Sequence, residues 1–148
     1  MAGPLFENYC IQETLKSFAA HGEAPRLFYL RTKAGLEVDM LIEEAGGRLH
    51  PFEFKLSATP SVEMAAPIRK FREDFAALKP ETGAIVSLTA LSRSLSADVR
   101  LLTLPDFLHQ AVEKGVFSQA PTGELLSSVW QKTPLFQKVI RNTLHSTT

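Results

Sequence analysis

Leu36-Glu37-Val38-Asp39-Met40-Leu41-Ile42-Glu43-Glu44, a glycine pair at Gly46-Gly47, then Arg48-Leu49-His50-Pro51-Phe52-Glu53-Phe54-Lys55-Leu56: this run decides the fold. Residues 36 to 44 alternate apolar and acidic side chains through their first half, residues 48 to 56 form a further strand, and the glycines punctuate the join. Two antiparallel strands follow. Strand side chains alternate faces. Glu53 and Lys55 therefore share a face, opposite Phe52, Phe54 and Leu56, and Glu37 and Asp39 share a face, opposite Val38, Met40 and Ile42. A connection of odd length centred on Gly46 sets Asp39 across from Glu53, whereas a strict two-residue hairpin sets it across from Phe54 and breaks the cluster. The grouping thus demands a three-residue loop or a bulge. Pro51 implies an edge position, a bulge or a bend.

Outward from this hairpin, residues 4 to 20 carry apolar side chains at helical spacing, with Pro4 in the first turn and Gly22 as the terminating glycine. Residues 27 to 32 read as a strand, and Lys33-Ala34-Gly35 as a turn. Beyond the hairpin a helix runs from Ser61, its N-cap, to about Leu78, with Pro67 early in it or kinking it. Strands follow at 83 to 89 and 99 to 104, then a short helix from Phe107 to Glu113. The order αβββαββα predicts an α/β domain, a mixed sheet flanked by helices, over residues 1–115. Residues 116–148 form a C-terminal helical extension, amphipathic over 124 to 144.

Two carboxylates on one wall repel unless a cation lies between them. A hard divalent ion with oxygen ligands, Mg²⁺ or Mn²⁺, answers that need. It would activate water and offset phosphodiester charge. Lys55, roughly 6 to 7 Å along the strand from Glu53, would position that water or a phosphate oxygen. The plainer alternative is a solvated strand face, because Glu-x-Lys is a weak pattern in itself.

Asp39, a short hairpin, then Glu53-Phe54-Lys55 resembles the signature of the PD-(D/E)XK nucleases, with Val38 where the motif's proline would stand. The resemblance implies a restriction-endonuclease-like fold. It also implies catalytic Asp39, Glu53 and Lys55, and metal ligands Asp39, Glu53 and the Phe54 carbonyl. Glu7 on the first helix matches the acidic residue that several such families place there, which implies a further ligand. Gly3-Pro4-Leu5-Phe6-Glu7-Asn8, Gly35-Leu36-Glu37-Val38-Asp39, Phe52-Glu53-Phe54-Lys55 and Leu104-Pro105-Asp106-Phe107-Leu108 are together similar to a nuclease-like C-terminal domain, of no assigned function, in prokaryotic predicted AAA+ ATPases. No Gly-x-x-x-x-Gly-Lys loop is present, so the expectation is an excised domain or a stand-alone relative.

Composition sets the bounds. Lys+Arg and Asp+Glu are both 16, which argues against a dedicated nucleic-acid coat but leaves room for a local patch at Arg69, Lys70 and Arg72. Adjacent Glu73 and Asp74 allow an ordinary solvated helix face there instead. The one cysteine, Cys10, forms no internal disulfide and points to a reducing, cytoplasmic setting. No apolar run has spanning length and the first residues resemble no leader. Four histidines without ligand spacing make zinc a poor candidate. The expected partners are DNA and an ATPase domain or protein, with a homodimer left open. The alternative is a nuclease-fold docking module that has lost catalysis.

Overall fold

The computed structural model describes residues 2–44 and 46–113 and the backbone of 140–141. The first helix, α1, spans Ala2–Ala20 and buries Phe6, Cys10, Thr14, Leu15 and Phe18. It ends as the glycine foretold: Gly22 has φ +70°, its amide donates to the Ala19 carbonyl, and the Glu23 amide reaches back to Phe18 at 2.9 Å. Strands β1 (Leu27–Arg31), β2 (Glu37–Glu43) and β3 (Leu49–Lys55) then run antiparallel. A crossover carrying α2 (Ala66–Asp74) leads to β4 (Gly83–Ser87), parallel to β3. Next come β5 (Arg93–Ser94) and β6 (Val99–Thr103), the latter parallel to β4, and α3 (Leu104–Leu108), prolonged by a π-helical turn at His109–Glu113. Ile140–Arg141, labelled β7, pairs with Phe28 and Tyr29 on the β1 edge. The sheet order is β5-β6-β4-β3-β2-β1-β7.

Helices cover both faces of this mixed sheet. Phe6, Cys10 and Phe18 of α1 pack with Met40, Ile42, Phe52, Phe54, Val86, Leu102 and Phe107. On the other face, Phe71 and Phe75 lie against Leu30, Val38, Leu41 and Leu49. Ile68 sits there too, with Ile85, Val99 and Leu101. The two apolar faces of the central strands explain why these segments read as near-continuous hydrophobic runs.

Several expectations need correction. The helix from Ser61 to Leu78 is three pieces: 3₁₀ turns at Val62–Ala65 and Ala76–Leu78 flank α2. Pro67 lies in the first turn of α2, where its missing N–H costs nothing, and so restarts the helix rather than kinking it. Ser61 holds the N-cap position, yet its side chain makes no cap bond. Pro51 is neither at an edge nor at a bulge but inside the central strand, opposite Leu41. By strand alternation its nitrogen faces β4, whose pairing begins one residue later at Phe52↔Ala84, so no ladder bond is lost. Strand β5 is absent from the sequence reading, since two exposed polar residues carry no periodicity. The helix expected from Phe107 begins at Leu104, capped by the Thr103 hydroxyl, which accepts from the Asp106 amide at 3.2 Å. Of the C-terminal helical extension, 114–139 and 142–148 lie outside the described residues; Ile140–Arg141 is extended, not helical.

Candidate functional site

The hairpin register is the one the acid pair requires. Met40↔Phe52, Leu41↔Pro51, Ile42↔His50 and Glu43↔Leu49 face each other, and one more step sets Asp39 opposite Glu53. The Glu44 amide donates to the Arg48 carbonyl at 3.0 Å, which leaves residues 45–47 as a three-residue connection. Gly47 takes φ +80°, a conformation that a side chain would oppose.

Past Met40 and Phe52 the two strands part. β2 continues against β1, through Leu30↔Val38, while β3 continues against β4, through Glu53↔Ile85 and Lys55↔Ser87. Side chains replace the missing ladder bonds at this fork. The Phe54 amide donates to Asp39 Oδ2 at 2.9 Å, and the Asp39 amide donates to Glu53 Oε1 at 3.2 Å. Lys55 Nζ lies 3.0 Å from Glu53 Oε2. In an extended strand the N–H and C=O of one residue leave by the same edge. The Phe54 carbonyl therefore also faces the gap.

A bulge bends β2 at this point. Between Leu41 and Val38 it carries Asp39 and Met40 against one residue of β1, Tyr29. The alternation expected from sequence fails here. Val38 packs on the α2 face with Leu30 and Leu41, whereas Met40 and Ile42 pack on the α1 face. The bulge brings Asp39 alongside the helix that carries Glu7.

Electrostatics mark the cluster. Burial first, then the Asp39 charge, pushes the Glu53 carboxyl up to about 7, with Lys55 opposing, and Glu53 is 2% exposed. Asp39 is raised by burial, with the Phe54 amide and Lys55 acting against the rise. Glu7, half-buried on α1, is raised by burial and by Asp39. Burial works to lower Lys55, but the charges of Glu53, Asp39 and Glu7 outweigh it and hold the ammonium above its ordinary value. Among the described residues no three His, Cys, Asp or Glu side chains converge closely enough to hold a metal ion together. Asp39, Glu53 and the Phe54 carbonyl are the oxygen donors that share the fork, and Glu7 stands beside Asp39 across a cleft of about 290 Å³.

The other candidates divide. Glu37 is exposed and paired with Arg31 at 2.9 Å. Arg69 is held by Asp98 at 3.0 Å and by Ser96 and the Val62 carbonyl. Lys70 pairs with Asp74 at 2.7 Å, and Arg72 lies 4.0 Å from Asp98. These basic residues ride on α2, over the face opposite α1. Cys10 is fully buried and its thiol is pushed up to about 12 by that burial. Sequence reading missed a second ionic group at the hairpin's closed end, where buried Glu44 meets Arg48 and accepts from His50 at 2.9 Å, and Arg48 also meets Glu81. Arg26 and buried Glu43 form another pair at 3.1 Å. The one signal available was two adjacent glutamates at the end of an apolar strand.

Residues 2–107 match the family model described as "Domain of unknown function (DUF4143)", and the chain belongs to that family. No curated protein and no solved structure matches it. No helix among the described residues is long and apolar enough to cross a membrane.

Proposed function

We propose, with membership of this family as the premise, that the domain is a restriction-endonuclease-like, metal-dependent nuclease acting on DNA, with Asp39, Glu53 and Lys55 catalytic. One observation carries the reading: two desolvated carboxylates and an ammonium meet at a strand fork, although the acid pair is disfavoured in its charged form. The fork's hydrogen bonds give each carboxylate a structural partner, and a desolvated acid pair with raised proton affinity beside an ammonium is also the arrangement that reactive sites use.

The donor set, carboxylates plus a carbonyl, fits Mg²⁺ or Mn²⁺. Asp39, Glu53 and the Phe54 carbonyl would hold the ion; Glu7 stands beside Asp39, but no third acid converges with the pair among the described residues. When bound, it would acidify a coordinated water and offset charge on the phosphodiester. The chain's own groups supply the remaining chemistry. The Phe54 amide fixes the Asp39 carboxylate, and the Asp39 amide fixes that of Glu53. Lys55 Nζ, beside Glu53 Oε2, presents an ammonium that orients water and donates a hydrogen bond to a phosphate oxygen. Arg69, Lys70 and Arg72 would contact the DNA backbone only by turning from their acidic partners, Asp98 and Asp74, to phosphate.

A second reading, a docking module for an AAA+ ATPase with a relic acid pair, draws on a specific observation. The carboxylates already accept backbone amides, and no third acid converges with them among the described residues. Cleavage of plasmid and oligonucleotide DNA by the purified protein in Mg²⁺ or Mn²⁺ separates the two. Asp39→Asn and Lys55→Ala should each lower the rate on the order of a hundredfold or more with the melting curve retained. Cleavage that survives both substitutions overturns this site. Absent Mn²⁺ binding by calorimetry, together with no retention of DNA at low salt, supports the docking module.

A further inference from the structure

Beside the fork lies the cleft between α1 and the β1–β2 pair, lined by Glu7, Ile11, Leu27, Tyr29, Asp39 and Met40. Glu7 and Ile11 stand one helical turn apart on α1. Tyr29 alternates with Leu27 onto the α1 face, while neighbouring Phe28, which also borders the cleft, packs on the other face beside Leu30 and Leu41. The bulge at Asp39-Met40 sits directly opposite Tyr29, and Asp39 and Met40 both line the cleft. The result is one aromatic ring, a thioether and two aliphatic walls, with two carboxylates at the side nearest the fork. The lining itself supplies no basic side chain; the cation that Glu7 and Asp39 face is Lys55, which stands outside it at the fork beside Glu53. Acceptors beside an apolar, aromatic wall suit a flat group that carries N–H donors on its edge. They disfavour a phosphate.

We propose that this cleft takes a single unpaired nucleobase, one with adjacent N–H donors on its pairing edge, of which guanine presents the most. Glu7 accepts those N–H groups, and Tyr29 stacks on the base. The inference rests on the nucleic-acid reading above and deepens it. It gives Glu7 the role of a base acceptor in place of a metal ligand, and it places a splayed nucleotide next to the phosphate that Asp39 and Glu53 would address. A strand with an unstacked base, at a loop, an end or a mismatch, is then the preferred substrate class.

The chain has two tyrosines, Tyr29 in the cleft and the exposed Tyr9, so ring-labelled tyrosine gives a reporter and an internal control. Guanosine, cytidine and N-acetyl-arginine amide are titrated against the full chain. A short single-stranded oligonucleotide is then compared with its single-abasic counterpart in Ca²⁺, which supports binding without requiring turnover. The Tyr29 signal should shift with guanosine while Tyr9 stays fixed. The oligonucleotide should lose on the order of tenfold in affinity when the base is removed. Glu7→Gln and the cleft-filling Ile11→Trp should each abolish the distinction; melting curves and the Tyr9 signal report that they are folded.

Equal affinity for intact and abasic strands overturns the base pocket alone, and the cleavage assay is untouched by it. Absent oligonucleotide binding overturns both readings. A Tyr29 response to the arginine amide, with none to nucleosides, overturns the base pocket in favour of a basic peptide side chain.

Discussion

Glu53→Gln isolates the cost of the acid pair. Glutamine keeps the shape of a protonated glutamate and can still accept the Asp39 amide bond through its Oε1. The carboxyl has an ordinary value of 4.5 and stands at about 7 in the fold. That difference corresponds to about 3 kcal/mol at roughly 1.4 kcal/mol per pKa unit. Its sign follows from proton binding. A carboxyl raised on folding binds protons more tightly in the native state, so its contribution is complete below pH 4.5 and is lost as pH rises to about 7. Asp39 and Glu53 titrate together, and the loss belongs to the pair. Wild type and Glu53→Gln should therefore be about equally stable near pH 4.5. At pH 8 to 9, in chelator, the variant should be more stable by about 3 kcal/mol. For a chain of this size that is roughly 10 °C in melting temperature. Urea unfolding and thermal melts at pH 4.5, 6, 7 and 8.5 read the difference directly, and pH effects from groups elsewhere cancel between the two proteins. A difference that stays constant across that range refutes the argument, since it would mean that Glu53 ionises as freely in the fold as in water.

Three further outcomes follow from the same geometry. Protons and a divalent ion compete for Glu53, so Mn²⁺ affinity should climb as pH passes upward through about 7 with release of a proton, which calorimetry in buffers of different ionisation enthalpy detects. Gly83→Ala drives a Cβ into Ile68 Cγ2 and to 2.9 Å from the Pro51 carbonyl oxygen, so it should cost about 2 kcal/mol or more in urea unfolding. Cys10 is fully buried with its thiol pushed up to about 12, so a thiol reagent at pH 8 should react no faster than the chain opens, with labelling tracking denaturant.

The site and the fold were unequally legible in the sequence. Parity along 36 to 56 is a local property, and it sufficed to tie the Asp39–Glu53 pairing to the length of the glycine connection. The bulge was hidden because it depends on how β2 meets β1, a partner that the β2 residues do not encode; Val38 accordingly went to the wrong face. The fork was hidden for a related reason. β3 leaves β2 in order to pair with β4, whose first residue lies 28 positions after Lys55. Pro51 was misread because its tolerance depends on where β4 begins, not on anything beside it. Glu81 likewise joins Arg48 only through the crossover. Local patterns specified the elements, and non-local pairing specified how the side chains meet.

The division of β3 between an antiparallel neighbour and a parallel one has a kinetic consequence. The β1–β3 meander is contiguous in sequence and can close quickly, whereas β4 joins only after the crossover has been ordered. Asp39 and Glu53 thus meet while water still reaches them, and Glu53 loses that water when Ile85 comes alongside. The pair's electrostatic burden falls on the second event. Refolding of the wild-type chain, but not of Glu53→Gln, should therefore slow as pH rises through about 7, which stopped-flow refolding reads; equal pH dependence in the two proteins would refute this order of events.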